Sequence, residues 1–349
     1  MVNRTINFFR LKGRLKEYGI AVLALLITTC LIGWLKFSHT PLTRDQGDEF
    51  FTVKPGETLS QISDQLTDNG LVPYSLVATL YARLYGLERS IQAGEYLLDS
   101  ETTLASLITK MANGEKYQHK VTFLEGWKVS QVLAELWSRD SIMREIYDDD
   151  PKVIANLLGL DTDNAEGMVF PDTYFFTRNT SDISLLKRAN QKLTSVLTKA
   201  WVSRAEELPL NNAYEALILA SVIEKESGLN SERSKISGVF LRRMELGMRL
   251  QSDPTVIYGM GSKYRGNISR EDLLESTPYN TYRIDGLPPT PISLAGEASI
   301  KASLNPTASS FLYFVSRGDG SHYFSENLRE HNAAVARYQK RTTSRDITQ

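Results

Sequence analysis

The chain has only one cysteine, Cys30, so no disulfide can close within it and thiolate ligands for a structural zinc are missing. The four histidines, His39, His119, His322 and His331, show no metal-ligand spacing. There is no excess of either charge: 40 lysines and arginines face 41 aspartates and glutamates, a net charge of -1. That balance argues against nucleic-acid binding, which calls for a strongly basic face. No glycine-rich phosphate loop, internal repeat or low-complexity tract occurs, which leaves nucleotide-dependent chemistry without its usual cradle. No metal and no cofactor is expected.

The N-terminus is more informative. In "MVNRTINFFRLKGRLKEYGIAVLALLITTCLIGWLKF", Arg4, Arg10, Lys12, Arg14 and Lys16 precede an uncharged run from Tyr18 to Leu35. At about 1.5 Å per residue, roughly 18 helical residues nearly cross a hydrocarbon layer ~30 Å thick. The basic flank predicts a cytoplasmic N-terminus: a tail over 1–17, too short for a regulatory domain, a single span over 18–37, and everything beyond on the outer side of the inner membrane. A cleaved signal peptide is the other reading. Against it, the run is long for such a segment and no small-x-small site follows. A buried core helix would be an odd partner for so many preceding charges. Cys30 lies in the run and is expected to be reduced and inert. An exported domain has no ATP supply, so kinases and nicotinamide enzymes are poor candidates.

The length of 349 residues allows two or three domains. Residues 38–49 are polar and read as a linker. In "FFTVKPGETLSQISDQLTDNG", alternation predicts a strand at Phe51 and Val53, Pro55-Gly56 a turn, Thr58 a helix cap, Leu59, Ile62 and Leu66 an apolar stripe, and Asn69-Gly70 a stop. "AGEYLL" (93–98) and "HKVTFLEGW" (119–127) read as strand-like, and "KVSQVLAEL" as a helix. The aromatic-dense "GMVFPDTYFF" (167–176) suits either a hydrophobic staple or a sugar-stacking surface. From about 181 the pattern is mainly helical, with one helix over 212–228 and another capped by Asn230 or Ser231. After Gly247 it breaks into loops. A short helix, a hairpin around Gly-Asp-Gly and a last helix close the chain, and "QKRTTSRDITQ" is expected to fray.

The chemistry-bearing stretch is "IEKESGLN" (223–230). On a helix, Glu224 and Glu226 differ by about 200° and point to opposite sides. They cannot form a retaining pair, which needs carboxyls roughly 5 Å apart. Glu226 shares the face of Leu219, Val222 and Ile223, where burial would raise its pKa toward the range of a working general acid. The plainer alternative is that both carboxylates are solvated at a helix end.

Two resemblances sharpen this. The strand–turn–helix stretch near residue 50 resembles the start of a LysM module, a small fold that often binds cell-wall glycans. "IEKES" resembles the acidic-residue–serine motif of lytic transglycosylases with a lysozyme-like fold. "LEGW", "FPDTY", "ASVIEKES", "SGVFLRRMELGMRLQSDPTVIYG", "YNTYRIDGLPPTPI", "FLYFV" and "GSHYF" also occur in the order found in the endolytic murein transglycosylases (the MltG or YceG-like family). The resemblance spans nearly the whole chain. It implies an α+β fold: a LysM-like module over 50–118, a connecting subdomain over 119–180, and a mainly helical, lysozyme-like catalytic domain over 181–340 with a β-hairpin insertion.

The resemblance also implies cleavage of the β-1,4 bond between N-acetylmuramic acid and N-acetylglucosamine in peptidoglycan, within nascent strands, leaving 1,6-anhydro ends, with peptidoglycan synthases as partners. Glu226 is the catalytic residue by this correspondence. Ser227, Gln251, Ser252, Asp253, Tyr279, Asn280, Thr281 and Tyr282 become candidate substrate-binding residues. Each has a structural alternative: Ser227 orients the carboxylate or ends the helix, Asp253 before Pro254 is a turn or cap residue, and Tyr282 is core. Tyr279 and Asn280 are favoured for the cleft, and "GLPPTPIS" as a rigid loop along its edge. The sequence departs from the family pattern after the double proline, where a glycine would be expected. Two other functions remain open: a non-catalytic glycan-binding scaffold, and a water-using muramidase with Asp253 as second carboxylate.

Overall fold

The computed structural model describes residues 2–42 and 49–339, with side chains from Tyr18 onward. Most of the expected linker, the frayed C-terminal segment and the basic side chains at 4–16 lie outside the described residues. The fold is mixed α+β, with two compact units that meet in sequence between Gln118 and His119.

The first unit begins with helix α1 (Val2–Ser38), whose backbone is continuous through both the expected tail and the expected span. Strand β1 (Glu49–Val53) pairs antiparallel with β2 (Gly94–Leu98), setting Phe51 opposite Tyr96. Between them run α2 (Leu59–Asp68) and α3 (Ser75–Leu84), and α4 (Leu104–Asn113) follows. The local signals work as the residues dictate. Thr58 and Gln61 form a reciprocal capping box, and Gly70 takes the left-handed turn (φ 69°) that ends α2. Phe51 and Val53 from one face of β1 join Ile62, Leu66, Tyr96 and Met111 in the core. Trp34 and Phe37, near the end of α1, pack against it.

The second unit opens with β3 (His119–Thr122), α5 (Val129–Trp137), the two-residue β4 (Ile142–Met143) and α6 (Pro151–Leu158). Strand β5 (Thr173–Phe176) pairs antiparallel with β3, and β6 (Thr180–Ser181) pairs in parallel with β4. Then come α7 (Asp182–Val202), α8 (Ala213–Glu226), α9 (Asn230–Glu245), α10 (Asp253–Met260), α11 (Arg270–Leu274) and α12 (Glu297–Leu304). The antiparallel hairpin of β7 (Tyr313–Ser316) and β8 (His322–Ser325) and the helix α13 (Leu328–Tyr338) complete it. Helix α8 is central: its residues from Ala216 to Ile223 are all buried, and it packs on α7, α9, α10 and α12.

The aromatic stretch 167–176 acts as a staple. Phe170 enters the core around α8, Tyr174 enters the core around α5, and the Tyr174 hydroxyl donates to the Phe170 carbonyl at 2.8 Å. Gly167 (φ 71°) lets this segment approach closely, since a Cβ there would stand 2.4 Å from Pro291 Cβ.

Several expectations change. Helix α8 ends at Glu226, because Ser227 is extended (φ -139°, ψ 127°). Helix α9 is preceded by Leu229 without a side-chain cap; Asn230 is its first residue. Residues 253–260 form a helix where a loop was read: the Asp-Pro pair starts α10, since proline's missing N–H costs nothing in a first turn. Ahead of the aromatic stretch, residues 151–158 form α6, capped by Asp150 and with Pro151 in its first turn.

Candidate active site

Two residues apart on α8, the glutamates do face opposite ways, and each meets a different environment. Glu224 is enclosed: its side chain is 4% exposed and takes a bidentate grip from Arg233 of α9 (2.7 and 3.2 Å) and an N–H from Gly296 ahead of α12 (3.0 Å). It is a structural ion pair that locks three helices. Glu226 instead lies in the wall of an open cavity of about 540 Å³. The cavity is bounded by Gln251, Asp253 and Tyr282 on one side and by the hairpin and α13 on the other.

Glu226 accepts a hydrogen bond from the Ser252 hydroxyl at 2.5 Å. Burial pushes its pKa up to about 7; the Ser252 bond lowers it, the neighbouring Asp253 charge raises it, and Arg243 lowers it. Desolvation dominates, so the carboxyl holds its proton near neutrality. Ser252 is itself fixed. Its backbone N–H donates to Thr281 Oγ1 (2.9 Å), Thr281 Oγ1 bonds Thr255 Oγ1 (2.8 Å), and Thr255 donates back to the Ser252 carbonyl (2.7 Å). All three residues are buried. Gln251, on the cavity wall, takes a left-handed backbone (φ 54°) and donates its N–H to the Thr281 carbonyl.

The remaining candidates fall into two groups. Tyr282, a substrate-binding candidate with core packing as its alternative, lines the cavity, and its hydroxyl donates to Asp253 Oδ1 at 2.7 Å. Burial and that bond hold its pKa well above the ordinary phenol value. Tyr279 and Asn280, favoured for the cleft, lie outside that wall. Asn280 is 1% exposed and donates its side-chain amide to the carbonyls of Asp272, Leu273 and Glu275 while accepting from the Tyr282 N–H, so it shapes the loop from within. Tyr279 packs its ring 4.7 Å from that of Tyr258 and bonds Thr290. Ser227 accepts the Leu229 N–H at 3.1 Å, which makes it the residue that turns the chain after α8. The "GLPPTPIS" loop is also no rim of this cavity. It runs inward, where the Ser221 hydroxyl accepts the Ile292 N–H (3.0 Å).

Three wall residues were not foreseen. Arg243 is 7% exposed, donates Nε to the Leu312 carbonyl (2.6 Å) and Nη1 to the Leu250 carbonyl (2.7 Å), and lies 5.0 Å above the Tyr313 ring. Its signal was legible: it falls three and four residues after Phe240 and Val239, on the apolar face of α9. His322 fastens the hairpin to α9 through Glu232, by Nδ1 (2.8 Å) and its backbone N–H (3.1 Å). His331 of α13 stacks on the other side of the wall against Tyr313. No spacing rule brings these histidines to one site; the hairpin topology does. Glu166, 3% exposed, accepts from the Val129 N–H (2.9 Å) and the Tyr258 hydroxyl (3.2 Å), and so steadies α10, whose start carries Asp253.

One protonated carboxyl in a polar-walled, open cavity can serve as a lone general acid and afterwards as a base. Comparison with known proteins points the same way. The YceG-like family profile matches residues 51–337. An endolytic murein transglycosylase of Bacillus subtilis is 29% identical over 303 residues, covering 82% of this chain and 83% of that protein. One of Streptococcus pneumoniae is 27% identical over 82% of this chain, which spans 57% of the pneumococcal protein. A crystal structure of a YceG-like protein from Listeria monocytogenes superposes with a TM-score of 0.52 at 26% identity, covering 83% of this chain and 99% of that one.

Proposed function

From the chain's membership of the YceG-like family, we propose that it is a lytic transglycosylase, a lyase acting on peptidoglycan, with Glu226 as its catalytic residue. The observation that carries this reading is the position of Glu226 on the cavity wall, held by Ser252, where burial raises its pKa to about 7. The names of the Bacillus and pneumococcal relatives support the substrate and reaction class.

In the proposed mechanism Glu226 delivers its proton to the oxygen of the β-1,4 bond as that bond breaks, and an oxocarbenium-like N-acetylmuramyl centre develops. The resulting carboxylate takes the proton of the sugar's own 6-hydroxyl while that oxygen bonds to C1. The glutamic acid is restored and a 1,6-anhydro end is formed with no water consumed. No second carboxylate is required. Gln251, Asp253 and Tyr282 hold the sugars along the wall, and Ser252 holds the acid. Thr281, Asn280, Tyr279 and Ser227 act one layer behind, as positioning residues.

The finer organisation belongs to the same proposal. Residues 1–17 form a cytoplasmic tail, 18–37 a span, 38–49 a linker, 50–118 a LysM-like glycan-binding module, 119–180 a connecting part and 181–340 a lysozyme-like catalytic domain. Among the described residues one helix, over Tyr18–Ser38, is long and apolar enough to cross a membrane. It would tether the enzyme in the inner membrane, outside face to the wall, where nascent strands and their synthases meet.

The test is digestion of purified peptidoglycan by the detergent-solubilised chain, wild type against Glu226→Gln, with products read by mass spectrometry. Wild type alone should release 1,6-anhydromuramyl ends. Reducing ends would instead favour hydrolysis with Asp253 as the second carboxylate. Glycan binding without cleavage by either protein would favour a scaffold.

A further inference from the structure

Helix α3 carries an apolar surface larger than its core contact uses. Successive residues turn by about 100°. Ala78, Tyr81 and Ala82 face the core of the first unit, and each is at most 6% exposed. Leu76, Leu80 and Leu84, spaced by four, are 63%, 41% and 70% exposed. Val77 lies between Leu84 and Tyr81, so the apolar arc runs unbroken from the core to the leucines. Ser75, Thr79 and Arg83 share the remaining flank, and α3 has no acidic residue. Single exposed leucines need no explanation, but a continuous stripe does.

The position of α3 along the chain's apolar helix supplies the explanation. Tyr81 lies against Trp34 of α1, with ring centroids 6.2 Å apart and planes 26° from parallel. Tyr85 continues the row, 4.5 Å from Tyr81. Phe37 also packs on the core, and Leu42 donates its N–H to the Thr102 carbonyl, so the end of α1 is fastened to this unit. The apolar segment Tyr18–Ser38 has 21 residues, about 31 Å of helix, against a hydrocarbon layer ~30 Å thick. Trp34 stands four residues before its end, about 6 Å along the axis, at the depth where tryptophan and tyrosine rings favour the membrane–water boundary. The contact with Tyr81 places α3 at the same depth.

We propose that α3 is an interfacial membrane helix, with Leu76, Leu80 and Leu84 inserted into the bilayer that α1 crosses. The leucine stripe then continues the lipid-facing surface of α1. On the polar flank Thr79 donates to Ser63 of α2 (2.9 Å), and exposed Arg83 reaches headgroups and water, as in helices that lie about 5–10 Å deep at the acyl boundary. The first unit is thereby seated on the membrane by two elements. This inference rests on the proposed membrane span.

Spin labels separate the two ideas. In a Cys30→Ala background of the full chain, Leu25→Cys, Leu80→Cys and Asp64→Cys are labelled with a nitroxide. The proteins are reconstituted in phosphatidylethanolamine–phosphatidylglycerol bilayers, and collision with oxygen and with a water-soluble nickel chelate is measured. Position 25 reports the span, and exposed Asp64 of α2 is the aqueous reference. The expected result is that positions 25 and 80 both show nickel collision several-fold below position 64 and higher oxygen collision. A lipid signal at 25 with an aqueous signal at 80 overturns the interfacial helix and leaves the span intact. An aqueous signal at 25 removes the span and the inference together. Spin–spin broadening at position 80 that grows with protein density would assign the stripe to a second copy of the chain, and also overturns it.

Discussion

A carboxylic acid that is to give up a proton near neutrality must first be kept from losing it, and at Glu226 the opposing influences are separable. Burial holds the proton on, Asp253 reinforces it, and the Ser252 hydroxyl draws the other way. The rate of the proposed cleavage should therefore fall about tenfold per pH unit above about 7, as the acid form is lost. Ser252→Ala removes a donor that favours the carboxylate and should move this limb to higher pH. Asp253→Asn removes a neighbouring negative charge and should move it lower. Opposite displacements in pH–rate profiles would support the assignment, and displacement in one direction by both variants would sink it. Stability carries the same signature. The folded pKa of about 7 exceeds the ordinary 4.5, so the folded chain binds this proton more tightly than the unfolded one. Wild type is fully stabilised below about 4.5, loses stability as pH rises toward 7, and then levels off about 3 kcal/mol lower. Glu226→Gln cannot ionise. Its melting temperature should overtake wild type across this window, a gain that a solvated glutamate would not give.

Between elements, the most consequential contact is the Glu224–Arg233 pair, with side chains 4% and 5% exposed. Arg233→Met leaves the carboxylate facing a hydrophobic thioether and should cost about 3–5 kcal/mol in denaturant unfolding. Glu224→Gln together with Arg233→Met should recover part of that, because no lone charge is left buried. Helix α9 offers a second test. Gly238 would normally gain stability on replacement by alanine, by about 0.5–1 kcal/mol of helix propensity. Here its Cβ would stand 2.5 Å from the Thr307 carbonyl, and Thr307 is bound to Ser234 of the same helix by its own N–H. The clash should win, so that Gly238→Ala destabilises by about 1–3 kcal/mol. These contacts also show what was legible beforehand. Strand β1, the Thr58 cap, the opposed glutamates and the closing hairpin follow from short-range periodicity and turn chemistry, which the sequence states directly. Helix α10 was missed because Asp-Pro reads as a turn when it also starts helices. Asn280 lies behind the wall that Tyr282 lines for a different reason: which side of an irregular loop faces a cavity is set by long-range partners such as Asp253, and no local pattern encodes them.

For the whole molecule, the end of α1 counts as part of the folded first unit as well as of the apolar segment that precedes it. Trp34 and Phe37 are half-buried against the core that holds Tyr81 and Met111. A soluble version beginning at residue 39, the natural cut if the helix were only an anchor, would strip both rings from that core. Losing two partly buried aromatics should cost about 2 kcal/mol or more, less than the full price of deleting a wholly buried one. A version beginning at residue 31 keeps them. Amide hydrogen exchange in α3 and α4 should therefore be faster in the shorter chain than in the longer one, while exchange in β1 near its pairing with Tyr96 should change least. Equal protection in both chains would mean that the rings only rest on the unit, and that the apolar helix and the module are joined by the backbone alone.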